Sequence, residues 1–498
     1  MLGPAAAALL ARLLTGPRPI DDAYITFRYA RNLADGLGLV YNPGEWVLGT
    51  STPLWALVLA LADRLGSDDL PLVAATIASA CDAITAAVLT RLSVQLGFTA
   101  RAAALVGLGW ALNPMSLAFA VGGMETSLFV LAMISSLALA ASGRPERVRG
   151  AAILAGVSAL VRPEGLLVGT VVAGWTSLVR RRELPFVLVA AWAPALAGGA
   201  LLFVRYGSPL PHSLVAKQVA YQSSSPFENL LALLVQSGLP GWSTYLLAVV
   251  PASAGLVLAA AGAACLACLT VHGLRGGAAA AGRQWQPFAG MAMLLLTFYT
   301  LAGLRGARLF PWYLVALEPL YLLGAAAGLA RLAPLARLPG AVLAALVVAW
   351  QLPAMDSRQG LLPLGYPSGR EEVLLEAGRL VRATLPPTAV VAAPEIGALG
   401  YASRVRILDT VGLVSPAALA YYPLPPDQLV VDNAIPAGLI LDARPDMVVT
   451  LAAFAERSLL GDPTFDRQYR LELAVPVHVW ESSRLLMFRR VDDSTGSP

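Results

Sequence analysis

Two adjacent carboxylates, Asp21 and Asp22, stand between the short apolar stretch that opens the sequence and an amphipathic run. Neighbouring acids at the mouth of an apolar segment repel each other and are costly to desolvate, so a purely structural protein has little reason to keep them. A carboxylate can instead activate a hydroxyl as a general base. The structural alternative is a cap for a helix beginning at Ala23. Because one cap needs one Asp, we expect at least one of the pair to be catalytic.

Basic and polar residues beside other apolar segments could complete a site with these acids. Arg and Lys can hold an anionic phosphate and stabilise it as it leaves. The candidates for phosphate contact are Arg162, Lys217 and Arg308, and those for other substrate contacts are Tyr24, Arg28, Glu125, Glu164 and His212. Each type also has a structural explanation, since long basic side chains extend to a membrane surface and acids cap helices.

The composition requires a membrane environment for the elements that position these residues. The chain is 57% hydrophobic and only 13% charged, whereas soluble proteins are about 25% charged. Its formal charge of +4 is too small to suggest nucleic acid as a partner. The three histidines are scattered, so we expect no metal site built on them, and the three cysteines form no disulfide framework. No resident cofactor is predicted, and assistance by a divalent cation is left open.

Arginine placement gives a predicted orientation, because basic residues beside spans collect on the cytoplasmic side. Five basic loops are assigned to that side: Arg91 to Arg101, Arg144 to Arg149, Arg180 to Arg182, Arg275 to Arg283 and Arg331 to Arg337. The start does not resemble a cleavable signal peptide and is taken as a short first span. Further spans are predicted near residues 71–90, 102–118, 126–141, 185–204, 243–271, 287–303, 311–330 and 338–353, with a turn at the outer side from Asn113 to Glu125.

Three shorter segments decide whether the number of spans agrees with a cytoplasmic location for all five basic loops. The stretch between Arg149 and Arg180 contains Pro163 and Gly165, so we predict two short arms rather than one long kinked helix. The runs from Tyr24 to Leu37 and from Thr52 to Leu61 are predicted to be helices lying on the membrane surface. The chain then has roughly eleven spans, a cytoplasmic N-terminus, and Asp21 and Asp22 outside.

The last part of the chain differs in composition and is predicted to form a second domain. Short apolar runs at 390–393, 405–408 and 447–451 predict strands, residues 371–383 predict a helix, and 473–480 with 485–490 predict a closing hairpin. The fold class is therefore an all-α polytopic membrane domain over 1–354, followed by a small extracytoplasmic α/β domain over 355–498.

Several chemistries lack their signatures in this sequence. No P-loop, dinucleotide-binding glycine motif, nucleophile elbow or zinc spacing is present, which argues against nucleotide-driven transport, dehydrogenation and triad hydrolysis. A sugar linked to a lipid phosphate would suit the predicted site. Its leaving group is a phosphate, it is presented at the membrane surface, and it needs no nucleotide outside the cell.

The motif from Asp21 to Asn32, followed by 36–45 and Thr52 to Trp55, resembles the first external loop of GT-C-fold glycosyltransferases. It is similar in particular to the terminal arabinofuranosyltransferases of bacterial cell-wall arabinan. Further motifs of that group recur in the same order: Gly123-Met-Glu125-Thr, Arg162-Pro-Glu164-Gly, Tyr206 to Pro211, Ala216-Lys217, Ile396-Gly397 and Asp409 to Leu413. The resemblance implies a polyprenyl-phosphate sugar donor and an acidic base in the first external loop, which is Asp21 or Asp22.

The sequence therefore predicts a glycosyltransferase of the bacterial cytoplasmic membrane. It would transfer a pentose such as arabinofuranose, or a hexose, to a glycan, lipid or protein acceptor on the outer face. The alternative from another class is a flippase or transporter of lipid-linked sugars, although no internal repeat is visible. A third is an inactive scaffold whose tail binds glycan.

Overall fold

The computed structural model describes residues 2–221, 264, 267–271, 283–305, 307–336, 369–430, 433–479 and 482–491, and every statement below concerns these residues. The spans predicted near 243–271 and 338–353 lie largely or wholly outside them, as does the predicted domain boundary at 354.

The secondary structure of the first described part is helical, with no strand among its described residues. Its elements are α1 (Leu2–Thr15), α2 (Asp21–Ala34), α3 (Pro53–Arg64), α4 (Leu70–Gln95), α5 (Ala100–Ala111), α6 (Pro114–Val121), α7 (Thr126–Ala141), α8 (Pro145–Val161), α9 (Gly165–Val179), α10 (Leu184–Tyr206) and α11 (His212–Ala220). After a gap follow α12 (Gln286–Leu304), α13 (Pro311–Leu314), a 3₁₀ turn (Val315–Leu317) and α14 (Glu318–Ala336).

Three described helices are long and apolar enough to cross a membrane, namely α4, the segment Arg181–Tyr206 that contains α10, and α12. The pair α5 and α6 would form a fourth if counted as one bent span. The helices α1, α7 and α9 are apolar but shorter. The chain is thus a multi-pass membrane protein, and the predicted total of about eleven spans stays a prediction.

Two predicted spans are not continuous helices. Residues 102–118 bend by 46° between α5 and α6, because the Asn113 side chain accepts the N–H of Ser116 and starts a new helix at Pro114. Within the turn predicted from Asn113 to Glu125, residues 114–121 are therefore helical, and the turn itself is at Gly122 to Glu125. Residues 311–330 divide into α13, the 3₁₀ turn and α14, where Pro319 has no N–H to continue the preceding turn.

The two short arms predicted between Arg149 and Arg180 are present as α8 and α9. They separate at Arg162–Glu164, and the turn is so tight that a Cβ on Gly165 would come within 2.2 Å of the Ala159 nitrogen. The two predicted surface helices also form, as α2 and α3, and α3 has only 12 residues. Their position on the membrane surface stays a prediction.

The C-terminal domain contains one five-stranded sheet in the order β2-β1-β3-β5-β4. The strands are β1 (Val390–Ala393), β2 (Arg406–Asp409), β3 (Met447–Leu451), β4 (Tyr469–Val479) and β5 (Ser482–Arg490), and the helices are α15 (Arg370–Thr384), α16 (Gly397–Ser403), α17 (Ala437–Ala443), α18 (Ala453–Glu456) and α19 (Pro463–Gln468). β1 pairs in parallel with β2 and β3, and β5 pairs antiparallel with β3 and β4. The predicted strands, hairpin and helix are all confirmed.

The sheet joins the two domains through its side-chain alternation. Along β1 and β3, Ala392 and Val448 face a small core with α17 and β5, whereas Val391 and Val449 belong to the core that continues into the membrane helices. The predicted architecture, a helical membrane domain followed by a small α/β domain, is confirmed.

Candidate active site

A cavity of about 460 Å³ lies where the two domains and the helix ends meet. Its walls come from α2, the segment 49–52, the tip between α8 and α9, α11, α12 and α13, with one residue of the C-terminal domain, Leu413. The charged residues lining it are Asp22, Glu125, Arg162, Glu164, Lys217, Arg305 and Arg308. Six of the ten predicted site residues are therefore brought together: Asp22, Glu125, Arg162, Glu164, Lys217 and Arg308.

Asp22 lies in the first turn of α2 and lines the cavity. Two backbone hydrogen bonds tie the segment before it to the turn that precedes α7, from Arg18 N–H to the Val121 carbonyl and from Ile20 N–H to the Gly122 carbonyl. Among the described residues, no side chain or backbone group donates to its carboxylate. Asp22 is thus held close to Glu125 with its own oxygens open to the cavity.

A chain of hydroxyls continues from Asp22 along the same wall. Thr26, one turn further along α2, contacts the Thr50 hydroxyl at 3.2 Å, and Thr50 contacts the Thr52 hydroxyl at 3.2 Å. All three line the cavity. Hydroxyls both donate and accept, so this wall can bind the hydroxyl groups of a sugar.

Asp21 does not line the cavity. Its two carboxylate oxygens accept the backbone N–H groups of Gly397 and Ala398, at 3.0 and 2.8 Å, at the start of α16 in the C-terminal domain. The predicted alternative, a cap for a helix at Ala23, is wrong, because α2 begins at Asp21 itself and has no side-chain cap bond. Burial raises the pKa of Asp21 to about 6, although Arg370 and the Ala398 N–H oppose that shift.

Arg162 lines the cavity but is already paired with two acids. Its guanidinium donates to Glu164 at 2.7 Å and to Glu125 at 3.2 Å, and all three side chains are more than nine-tenths buried. The Tyr299 hydroxyl also donates to Glu164, at 3.3 Å. The predicted phosphate ligand therefore holds the tip between α8 and α9, and its charge is neutralised locally.

Lys217 and Arg308 are placed against aromatic rings. The Lys217 Nζ lies 4.6 Å from the Phe310 ring centroid and 5.5 Å from that of Trp312, and Arg308 lies 5.6 Å from those of Tyr221 and Phe310. No ion pair involves Lys217 in the described part of the chain. Burial lowers the pKa of Lys217, but Tyr313 and Asp22 raise it more, so the pKa stands above its usual value.

Three predicted contact residues lie away from the cavity. Arg28 is buried and donates to four acceptors, the carbonyls of Tyr41, Gly400 and Val405 and the Asn42 side chain. Tyr24 packs against Phe27 and Tyr401. His212 begins α11, where its backbone N–H donates to the Leu48 carbonyl. These three residues join segments of the chain to one another and do not line the cavity.

Several cavity residues were not predicted from the sequence. They are Thr26, Thr50, Thr52, Gln218, Tyr299, Tyr313 and Leu413. Thr26, Thr52 and Leu413 fall inside motifs already recognised, and Thr50 lies two residues before one of them. Tyr313 follows Phe310 and Trp312 in an aromatic stretch just after Arg308, so these positions carried a signal. Tyr299 lies in an apolar span, and nothing local distinguishes it. No group of three acids, histidines or cysteines in the described residues could hold a metal ion.

Comparisons with known proteins bear on both domains. The family described as "Domain of unknown function (DUF8728)" matches residues 366–490. A comparison with curated protein sequences finds no match. ArnT from Cupriavidus metallidurans, solved bound to undecaprenyl phosphate, is similar in structure at 16% identity, with 99% of this chain and 98% of that chain covered and a TM-score of 0.56.

Two structures of an archaeal oligosaccharyltransferase are similar as well. The Archaeoglobus fulgidus enzyme with zinc and sulfate matches at 14% identity over 94% of this chain and 70% of that one, with a TM-score of 0.59. The oligosaccharyltransferase AglB from Archaeoglobus fulgidus, in complex with an inhibitory peptide and a dolichol-phosphate, matches at 14% identity. The match covers 100% of this chain and 74% of that one, with a TM-score of 0.57. The chain therefore has the GT-C fold of membrane proteins.

Proposed function

We propose that this chain is a glycosyltransferase that moves a sugar from a polyprenyl-phosphate donor to an acceptor hydroxyl. One observation carries the proposal: Asp22, whose carboxylate accepts no hydrogen bond from the described residues, lines the same cavity as the basic residues Lys217 and Arg308. The neighbours support it, since ArnT was solved with undecaprenyl phosphate and AglB with a dolichol-phosphate.

The chemistry follows from the two ends of this cavity. The acceptor oxygen forms a bond to the anomeric carbon of the sugar, while the bond from that carbon to the phosphate oxygen breaks and its electron pair leaves with the phosphate. Asp22 takes the acceptor proton as general base. Lys217 and Arg308 stabilise the negative charge that grows on the phosphate. The threonine wall, formed by Thr26, Thr50 and Thr52, orients the sugar through its hydroxyls.

The finer assignment extends this proposal. By the resemblance of its motifs, the donor is a polyprenyl-phosphate pentose such as arabinofuranose, or a hexose. The acceptor is a cell-envelope glycan, lipid or protein on the outer face of the bacterial cytoplasmic membrane. The first external loop and the C-terminal domain then lie outside the cell, and the N-terminus lies inside.

The test uses the full chain in lipid nanodiscs with a panel of polyprenyl-phosphate pentoses and hexoses and with cell-envelope acceptors. We expect a new glycosidic bond by mass spectrometry, and a loss of kcat of roughly 10²–10⁴-fold in Asp22→Asn, the range for a general base. Asp35→Asn is the matched control, because Asp35 is exposed just after the other end of α2.

Two results would contradict the proposal. One is an Asp22→Asn protein that transfers sugar at the wild-type rate. The other is a wild-type protein that forms no glycosidic bond but moves a labelled lipid-linked sugar across the bilayer of a vesicle, which is the behaviour of a flippase.

A further inference from the structure

The C-terminal domain binds the turn of α2 that carries the proposed base. The Asp21 carboxylate accepts two N–H groups of that domain, from Gly397 and Ala398, and the Asp21 backbone N–H donates to Glu371 Oε1 at 3.1 Å. Arg370 in turn holds Glu371 through a 2.5 Å ion pair. Both the side chain and the backbone of the residue before Asp22 are thus bound to one domain.

The backbones of α2 and α16 approach each other closely at Asp21 and Gly397. A Cβ on Gly397 would lie 1.8 Å from the Asp21 carbonyl oxygen and 2.7 Å from its carboxyl carbon. Further bonds fix the same approach, since Tyr41 donates to the Ile396 carbonyl at 2.5 Å and Arg28 donates to the Gly400 carbonyl at 2.7 Å. A shift of α16 would therefore move the first turn of α2.

The domain also reaches the cavity directly through the loop after β2. Asp409 is fully buried, and its carboxylate accepts the N–H groups of Val411 at 2.9 Å and Val414 at 3.0 Å. This arrangement places Leu413 in the cavity wall. Val414 packs on Gly49, next to the threonine wall, where a Cβ would come within 2.4 Å of it.

We propose that residues 369–491 are a positioning domain of the active site, and that Asp21 is the positioning residue through which it aims Asp22 into the cavity. This inference rests on the proposed function, because the positioned group is the proposed base. It assigns a role to a domain whose matching family is described as of unknown function. The competing role, a separate module that only binds glycan, does not require contact with the first turn of α2.

The experiment compares three variants in the full chain. Asp21→Asn replaces one acceptor oxygen by an NH₂ group, which cannot accept the N–H of Gly397 or Ala398. Gly397→Ala adds a methyl group on the C-terminal domain that pushes α16 away from α2. Tyr401→Phe is the matched control, since Tyr401 lies in the same pair of packed helices but contacts Arg31, about two and a half turns along α2 from Asp22. Its ring is kept, so the packing against Tyr24 is preserved.

We expect Asp21→Asn and Gly397→Ala to lower kcat by roughly 10–100-fold, the cost of a small misplacement of a reacting group. The KM of the donor and the binding of undecaprenyl phosphate should stay within about threefold of wild type, because Lys217 and Arg308 are untouched. Tyr401→Phe should leave kcat unchanged. Equal loss of donor binding and kcat, or wild-type kcat in both variants, would overturn the inference.

Hydrogen exchange provides a readout that needs no substrate. In Asp21→Asn and Gly397→Ala, the amides of residues 21–25 should exchange at least about tenfold faster, while those of α7 and α12 keep their wild-type rates. Unchanged exchange at 21–25 in both variants would overturn the inference even if no donor were turned over. An active Asp22→Asn protein would instead refute the proposed function and leave this readout to decide the domain's role.

Discussion

At the scale of single residues, the cavity contains two kinds of basic side chain. Arg162 is enclosed by Glu125 and Glu164, whereas Lys217 faces aromatic rings and the Asp22 side of the cavity. A phosphate would have to compete with two carboxylates for Arg162, but not for Lys217 in the described residues. Lys217 is therefore the stronger candidate for holding the donor phosphate.

This difference gives a prediction about donor affinity. Lys217→Met keeps the apolar stem but removes the charge, and we expect undecaprenyl phosphate to bind roughly 10- to 150-fold more weakly, since a charge-assisted hydrogen bond contributes about 1.5–3 kcal/mol. Microscale thermophoresis in nanodiscs measures the change. Arg182→Met, at an exposed position between α9 and α10, is the control. Unchanged affinity in Lys217→Met would remove this residue from the donor site.

At the scale of elements, the tip between α8 and α9 depends on the buried Arg162 group. Removing one member of a buried ion pair leaves the others charged and uncompensated. We expect Arg162→Gln to reduce the free energy of unfolding by roughly 3–5 kcal/mol, and thermal unfolding in detergent would measure it.

The matched control for that prediction is Arg149→Gln. Arg149 also donates to a glutamate, Glu183 at 2.7 Å, but its side chain is exposed to solvent, where ion pairs stabilise little. A similar loss in both variants, or none in Arg162→Gln, would show that the buried pairing does not hold the tip.

At the scale of the whole molecule, the two domains meet through an acidic cluster around Arg370. Glu371, Glu395 and Asp21 surround this one cation, and neither oxygen of Glu395 has a hydrogen-bond partner in the described residues. Burial raises the pKa of Glu395 to about 8, and Asp21 and Glu371 add to the shift while Arg370 opposes it. The interface therefore holds a proton at neutral pH.

That proton makes stability depend on pH. Between the ordinary pKa of 4.5 and about 8, the folded protein binds a proton at Glu395 that the unfolded chain has lost, so stability falls as pH rises through this window. We expect the midpoint of thermal unfolding to drop by roughly 5 °C between pH 5 and pH 8 and then to level off. Glu395→Gln should flatten most of this slope.

Asp21 sets the part of the slope that should remain in Glu395→Gln. Its pKa is raised from 3.8 to about 6, so its contribution to stability also falls as pH rises. That fall occurs between about pH 3.8 and pH 6, which is a lower window than that of Glu395. Glu376→Gln, an exposed acid on the same helix α15, should retain the full wild-type slope. A Glu395→Gln protein with that same slope would contradict the assignment.

Much of the fold could be predicted because the relevant signals are local. Apolar stretches gave the approximate limits of α4, α7, α10 and α12, and short β-branched runs gave β1 and β3. The errors fall at Asn113 and Pro319, where a cap and a missing N–H divide apolar stretches of sufficient length to span.

The sequence by itself identified the acidic pair, the basic candidates and the order of the two domains. Only the tertiary structure separated Asp22 from Asp21, because adjacent residues on a helix point about 100° apart and packing against α16 sets the rotation of α2. It also decided that Arg162 is neutralised, since one of its partners, Glu125, lies 37 residues away in the chain. Composition and periodicity fix which residues are available, whereas long-range packing fixes which of them share a cavity.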